Sequence, residues 1–153
     1  MRCNAGINPE ILCDQHLIAE QSELLIVDGM LRKYNFQMKA KIPPAMTLNK
    51  GHILFWTDKI LYLHKRHNEI KNEIINRKFK VTDKEFKLDE YPEHLLNDWR
   101  PSNRDSDILK TRIVEKIHAK GDKLFWRYRG KYIDSVSMPN YINTLTTSPL
   151  YYV

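Results

Sequence analysis

The sequence predicts an all-α fold, one compact domain of three main helices followed by an irregular C-terminal segment. Three observations carry that prediction. Apolar residues recur three, four and seven positions apart in long stretches; helix-starting residues precede those stretches; and Pro43-Pro44 and Gly121 interrupt the rhythm. At 153 residues the chain is most simply a single unit, long enough to bury a core.

The first helix is predicted to start at Asn8-Pro9-Glu10. Asparagine caps, proline is tolerated at the first helical position, and glutamate favours the positive end of the dipole. It runs to about Arg32, with Leu17, Leu24 and Leu31 seven residues apart and Ile18, Leu25 and Val27 widening the stripe. His16, Glu20 and Glu23 follow i, i+4, i+7 and read as one polar row. After Ile42-Pro43-Pro44 a long second helix carries Ile53, Trp56, Ile60, Leu63, His67, Ile70 and Ile74 and ends near Arg77. Residues 80–88 are too charged to assign, and residues 92–99 form a short helix. Capping residues at 102–107 open a third helix to about Ala119, with Leu109, Ile113 and Ile117 on its apolar side. "LFWRYRGKYI" is an extended segment of alternating aromatics and cations. Residues 135–153, polar and threonine-rich, are expected to be an irregular tail packed over the helices or partly disordered.

A formal charge of +6 with clustered cations at Arg32-Lys33, Lys39, Lys41, Lys65-Arg66 and through residues 116–131 suits a polyanionic partner, although a merely solvated basic surface fits the charge equally well. Cys3 and Cys13 show no CxxC spacing and make no disulfide framework, so a reducing interior is expected. Neither a leader-like apolar region nor a run approaching the roughly 20 residues that span a bilayer is present. A soluble, cytoplasmic protein without a membrane is expected.

His52, His64 and His67 invite a metal reading. A zinc site takes three or four ligands, nothing is spaced to complete this one, and His67 falls in the apolar stripe, so no metal and no cofactor are expected. Nothing resembling a triad, nucleophile elbow or phosphate loop surrounds Cys3, Cys13 or Ser22. A terminal α-amine is a different nucleophile. With an intrinsic pKa of about 7.7 to 8.0 it is partly the free base at neutral pH and suited to Schiff-base chemistry. It matters only where a fold delivers it beside a carboxylate.

Several runs, in one order over residues 1–132, resemble the phage pyrimidine-dimer DNA glycosylase/AP lyases, the endonuclease V family of T-even phages. They are "DQHLIAEQSEL" (14–24), "RK" (32–33), "KIPPAMTLNKGHILFWTDKILYLHKRHNEI" (41–70), "RIVEKIHAK" (112–120) and "WRYRGK" (126–131). The resemblance implies a monomeric, mostly helical enzyme acting on damaged or modified bases in duplex DNA. In that family the terminal amine attacks the deoxyribose C1′, the base leaves, an imine forms, and β-elimination nicks the strand. Met1 then stands in the nucleophile's place and Glu23 matches the catalytic glutamate. Arg2, His16, Arg112 and Lys116 match residues that hold DNA at the lesion. Trp126, Arg127 and Lys131, with Arg32 and Lys33, are the further DNA contacts.

Three departures qualify the match. The family removes its methionine and uses a threonine amine; here Arg2 follows Met1 directly, and a bulky second residue blocks methionine removal. Ser22 and Ile26 stand where the family has arginines, each charged hydrogen bond being worth about 1.5 to 3 kcal/mol. That weighs against dimer specificity more than against lyase chemistry, and it leaves open a catalytically silent DNA-binding protein on the same scaffold. Residues 133–153 extend past the family's usual end. If the chain is phage-encoded, the host cytoplasm is its expected location.

Overall fold

Residues 1–48 and 51–153 are described in the computed structural model; Asn49 and Lys50, inside the LNKGH run, lie outside the described residues. The predicted first helix is three pieces. Asn8 caps a 3-10 turn, Pro9–Ile11, by accepting from the Glu10 amide. Helix α1 spans Asp14–Leu24 and α2 Ile26–Lys33, with the break at Leu25. The leucine heptad runs through that break, because Leu17, Leu24 and Leu31 are all fully buried although they lie on two helices.

The predicted second helix is likewise divided into α3, His52–Trp56, and α4, Ile60–Asn76. At the junction Phe55, Trp56, Tyr62 and Trp99 form an aromatic cluster, with Trp56 stacked on Tyr62 at 5.7 Å and Trp99 edge-on to both. Packing of these rings, rather than any helix-breaking residue, turns the chain. The stretch expected to be a short helix contains only a 3-10 turn at Glu93–Leu95. Helix α5, Asn103–His118, starts on a complete capping box: the Ser102 hydroxyl accepts from the Asp105 amide while the Asp105 carboxylate accepts from the Ser102 amide.

One refinement and one correction concern the C-terminal third. The extended aromatic-basic segment is extended as predicted and folds back as a small hairpin, β1 Arg127–Tyr128 paired antiparallel with β2 Lys131–Tyr132. The tail is not irregular throughout. Met138–Thr147 forms α6, which packs on α5 with Leu145 fully buried. Its Tyr141 hydroxyl donates to the Ile11 carbonyl and accepts from the Cys13 amide, at 3.0 and 2.8 Å. Lys110 of α5 donates to the Ser148 carbonyl just past the negative end of α6. The protein is therefore mostly helical, with six α-helices rather than three among the described residues. None of these helices is long and apolar enough to cross a membrane.

Buried ion pairs fasten α1 to α4. Glu20 and Arg66, both fully buried, meet through two hydrogen bonds of 2.9 and 3.1 Å. Arg77 joins Asp14 and Glu73 and also donates to the carbonyls of Pro9, Glu10 and Leu12. Asp14 further accepts from the Arg129 and Gly130 amides, which seats the hairpin on the start of α1.

Candidate active site

The amino-terminal strand of chain is held by backbone geometry before any chemistry is considered. Glu20 accepts from both the Asn4 amide and the Asn4 side chain at 2.8 Å, and the Arg66 guanidinium donates to the Ile7 carbonyl. Gly6 sits at φ +74, where an added Cβ would lie 2.8 Å from Leu150 and 3.0 Å from Ser106. The Gly6 carbonyl accepts from the Ser106 hydroxyl and the Tyr151 amide. Residues on α1, α4, α5 and the C-terminal tail thus fix where residues 4–7 run, and Met1 to Cys3 follow from there.

The Met1 amine lies 3.6 Å from one oxygen of Glu23, and the Arg2 guanidinium lies 3.5 Å from the other. Glu23, on the last turn of α1, is partly exposed, whereas Glu20, one turn earlier, is fully buried. The polar row predicted for α1 is therefore not a solvated face: His16 and Glu20 point inward and only Glu23 opens outward. Arg112 and Lys116, one turn apart on α5, complete a cationic ring. Both act on His16, as does Arg2, and burial together with these charges pushes the His16 imidazole down to about 3, leaving it neutral at physiological pH. Burial, Arg2 and Arg112 hold Lys116 below its ordinary range, and the Glu23 carboxylate opposes them. His52 is held low by burial, with Arg112 and the Met1 amine adding to the effect.

Trp126 lies against the buried side of the candidate site. It is 6% exposed and stacks flat on His16, ring centroids 4.8 Å apart at 7°. One face of the ring is spent on His16, and the indole walls the imidazole in. Arg127 follows it on β1, its amide bonded to Gln15 of α1, and Lys131 is exposed on β2. Arg32 and Lys33 are not joined to this cluster. Arg32 is occupied by Asp28 and Glu90 and lies over the Phe36 and Tyr91 rings, and Lys33 lies over Tyr34. Ser22 turns its hydroxyl back to the Ala19 carbonyl, and Ile26 is exposed.

Two groups escaped the sequence reading. Asn4 and Arg66 set the course of the terminus, and Arg66 had a visible signal: it lies three residues after Leu63 and four before Ile70, on the apolar stripe of α4. The Arg2 Nε, both His16 nitrogens, the Trp126 Nε1 and the His52 Nε2 are buried without a hydrogen-bond partner among the described residues. The same holds for Gln21 Nε2, Trp56 Nε1 and both His67 nitrogens, so these groups are spread through the core and do not by themselves mark the site.

The amino terminus, the Glu23 carboxylate and Arg2 thus meet at one place, and Arg2, Arg112 and Lys116 converge on a neutral, buried imidazole. Residues 4–87, more than half of the chain, match the family model of the pyrimidine dimer DNA glycosylases. The chain belongs to that family, and its substrate class is DNA.

Proposed function

We propose that this protein is a DNA glycosylase with AP-lyase activity, acting on damaged or modified bases in duplex DNA through an imine on the Met1 amine. The observation that carries the reading is the 3.6 Å separation of that amine from Glu23. In its neutral form the amine attacks C1′. A C–N bond forms, and the glycosidic bond breaks with its electron pair leaving on the base. Opening of the sugar ring at C1′ gives the protonated imine. Loss of a C2′ proton then expels the 3′ phosphate and nicks the strand. Glu23 assists the opening of the sugar, takes the proton from C2′, and opposes the positive charge of the imine.

Arg2, Arg112 and Lys116 supply cations for the phosphates flanking the reacting sugar, while His16, buried and neutral, packs behind them without adding charge. Arg127 and Lys131 extend the contact along the backbone, with Arg32 and Lys33 as outlying contacts. The protein works as a monomer in this scheme. The test is incubation with a duplex containing one abasic site, with and without borohydride. The account expects a one-to-one covalent species on reduction and strand nicking without it, with Glu23→Gln slowing nicking about 100-fold or more. Absence of any covalent species under all conditions would contradict it.

The side chains of Ser22 and Ile26 favour a second reading, a catalytically silent DNA-binding protein, because neither places a cation beside the amine. That reading expects salt-dependent DNA binding indifferent to acetylation of the terminus.

A further inference from the structure

Between α5 and the hairpin the chain leaves two apolar side chains in solvent, Leu124 at 58% exposure and Phe125 at 40%. The backbone from Phe125 onward is held in place. Gln15 of α1 holds both sides of the next residue, its amide nitrogen donating to the Phe125 carbonyl and its oxygen accepting from the Arg127 amide at 3.0 Å. The Phe125 ring stands edge-on to Trp126 at 5.0 Å, and Trp126 stacks on His16. Two ring contacts therefore connect an exposed phenyl group to the imidazole of the candidate site.

Cations outnumber the acidic neighbours Asp122 and Asp134 around this tip. Lys120 lies over the Phe125 ring at 4.2 Å, and Lys123 and Arg127 are exposed on either side. Apolar side chains flanked by cations are how proteins open a base step, the apolar group entering the stack while the cations take the adjoining phosphates. We propose that Leu124 and Phe125 form a wedge that enters the base stack of duplex DNA beside the nucleotide held at the Met1 amine. The inference rests on the glycosylase reading above for the position of the DNA. Charge complementarity and continuity with the Arg2, Arg112 and Lys116 cluster select DNA as the occupant. A wedge of this kind gains most at steps already weakened by damage. It gives the protein a means of selecting lesions that does not depend on cations at positions 22 and 26.

The test uses a duplex carrying a tetrahydrofuran abasic analogue, which forms no imine, next to 2-aminopurine, whose fluorescence rises on unstacking. The wild-type chain is expected to raise the signal at saturation. Leu124→Ser/Phe125→Ser is expected to bind the duplex but lose that rise, and Phe125→Trp to retain it. Both changes are on the surface, and far-ultraviolet circular dichroism checks the fold. Borohydride trapping on a single-stranded abasic oligonucleotide, where there is no stack to open, is expected to be unchanged in the double variant. No rise with the wild type, or a full rise in the double variant, overturns the wedge. So does a wild-type dimer that the double variant converts to monomer with no change in fluorescence, which would make the patch a protein interface. A fluorescence rise without any trapped imine would leave the wedge standing and remove the glycosylase chemistry.

Discussion

Glu20 and Arg66 form a fully buried, doubly hydrogen-bonded ion pair, and the same carboxylate receives the Asn4 amide that leads to the Met1 amine. A core interaction and the position of the candidate nucleophile are thereby one structure. Removing one partner leaves an uncompensated buried charge, and Arg66→Ala is expected to cost about 3 to 5 kcal/mol in urea unfolding. Glu20→Gln is expected to lower imine formation more than DNA binding, because it loosens the terminus and not the cationic ring. Equal losses in trapping and binding would show that Glu20 serves stability alone.

The C-terminal tail braces the same segment from the opposite side. Leu150 and Ser106 crowd Gly6, whose φ of +74 already disfavours any side chain. Gly6→Ala is expected to lose at least about 1 to 2 kcal/mol from backbone strain alone, with further loss from the clash. Tyr141→Phe, which leaves the Cys13 amide and Ile11 carbonyl without that hydroxyl, is expected to cost about 1 to 3 kcal/mol. Thermal or urea unfolding checks both, and a neutral Tyr141→Phe would make the tail a passive appendage.

Acid should destabilise the fold partly through His16. Its imidazole titrates near 3 in the folded protein against an ordinary 6.5, because burial first, and then the surrounding cations, disfavour the charged form. The unfolded chain binds that proton below 6.5 while the folded one does not, so the stabilisation is complete above pH 6.5 and is lost as pH falls toward 3. Urea midpoints at pH 7, 5 and 4 are expected to fall, and His16→Gln is expected to flatten the fall. An unchanged slope in the variant would show that other groups carry the effect, whether His52 and His67, also held low by burial, or carboxylates held low such as Glu90 and Asp98.

Both thiols are expected to be inert in the native state. Burial raises Cys3 well above its ordinary range and pushes Cys13 up to about 11. Disulfide-exchange reagents should label them only at the rate of unfolding, so labelling that speeds up in step with urea is the expected result. Fast labelling in native buffer would contradict the packing of residues 3–13.

What the sequence made legible divides by element. Helices α4 and α5 were readable because their apolar residues keep a three-four rhythm and Ser102 with Asp105 announces a cap. Helix α1 was readable as a helix but not in its facing, since Asp14, His16, Glu20 and Gln21 are all buried and their partners lie far along the chain. Charge on an apolar face was the available sign: Arg66 and Arg77 both fall on the stripe of α4. The interruption at Leu25, whose backbone stays right-handed helical, and the turn before Ile60 beside the aromatic cluster left no sign in the apolar rhythm. Helix α6 was hidden by threonines and a proline at its second position, and it exists through its contacts with α5 and the Ile11–Cys13 segment. At the candidate site, Met1, Arg2 and Glu23 were legible only through family resemblance, which could not distinguish the buried Trp126 from the exposed Phe125.

The central claim is that the Met1 amine forms the imine, and Lys116 is the natural rival, since burial and its cationic neighbours hold that amine below its ordinary range. Reduction of the protein on abasic DNA with borohydride, followed by nuclease and trypsin digestion and mass spectrometry, locates the adduct. The account predicts the deoxyribose remnant on the amino-terminal Met1 peptide, and no adduct after acetylation of the terminus. An adduct on Lys116, or one that survives acetylation, would contradict it.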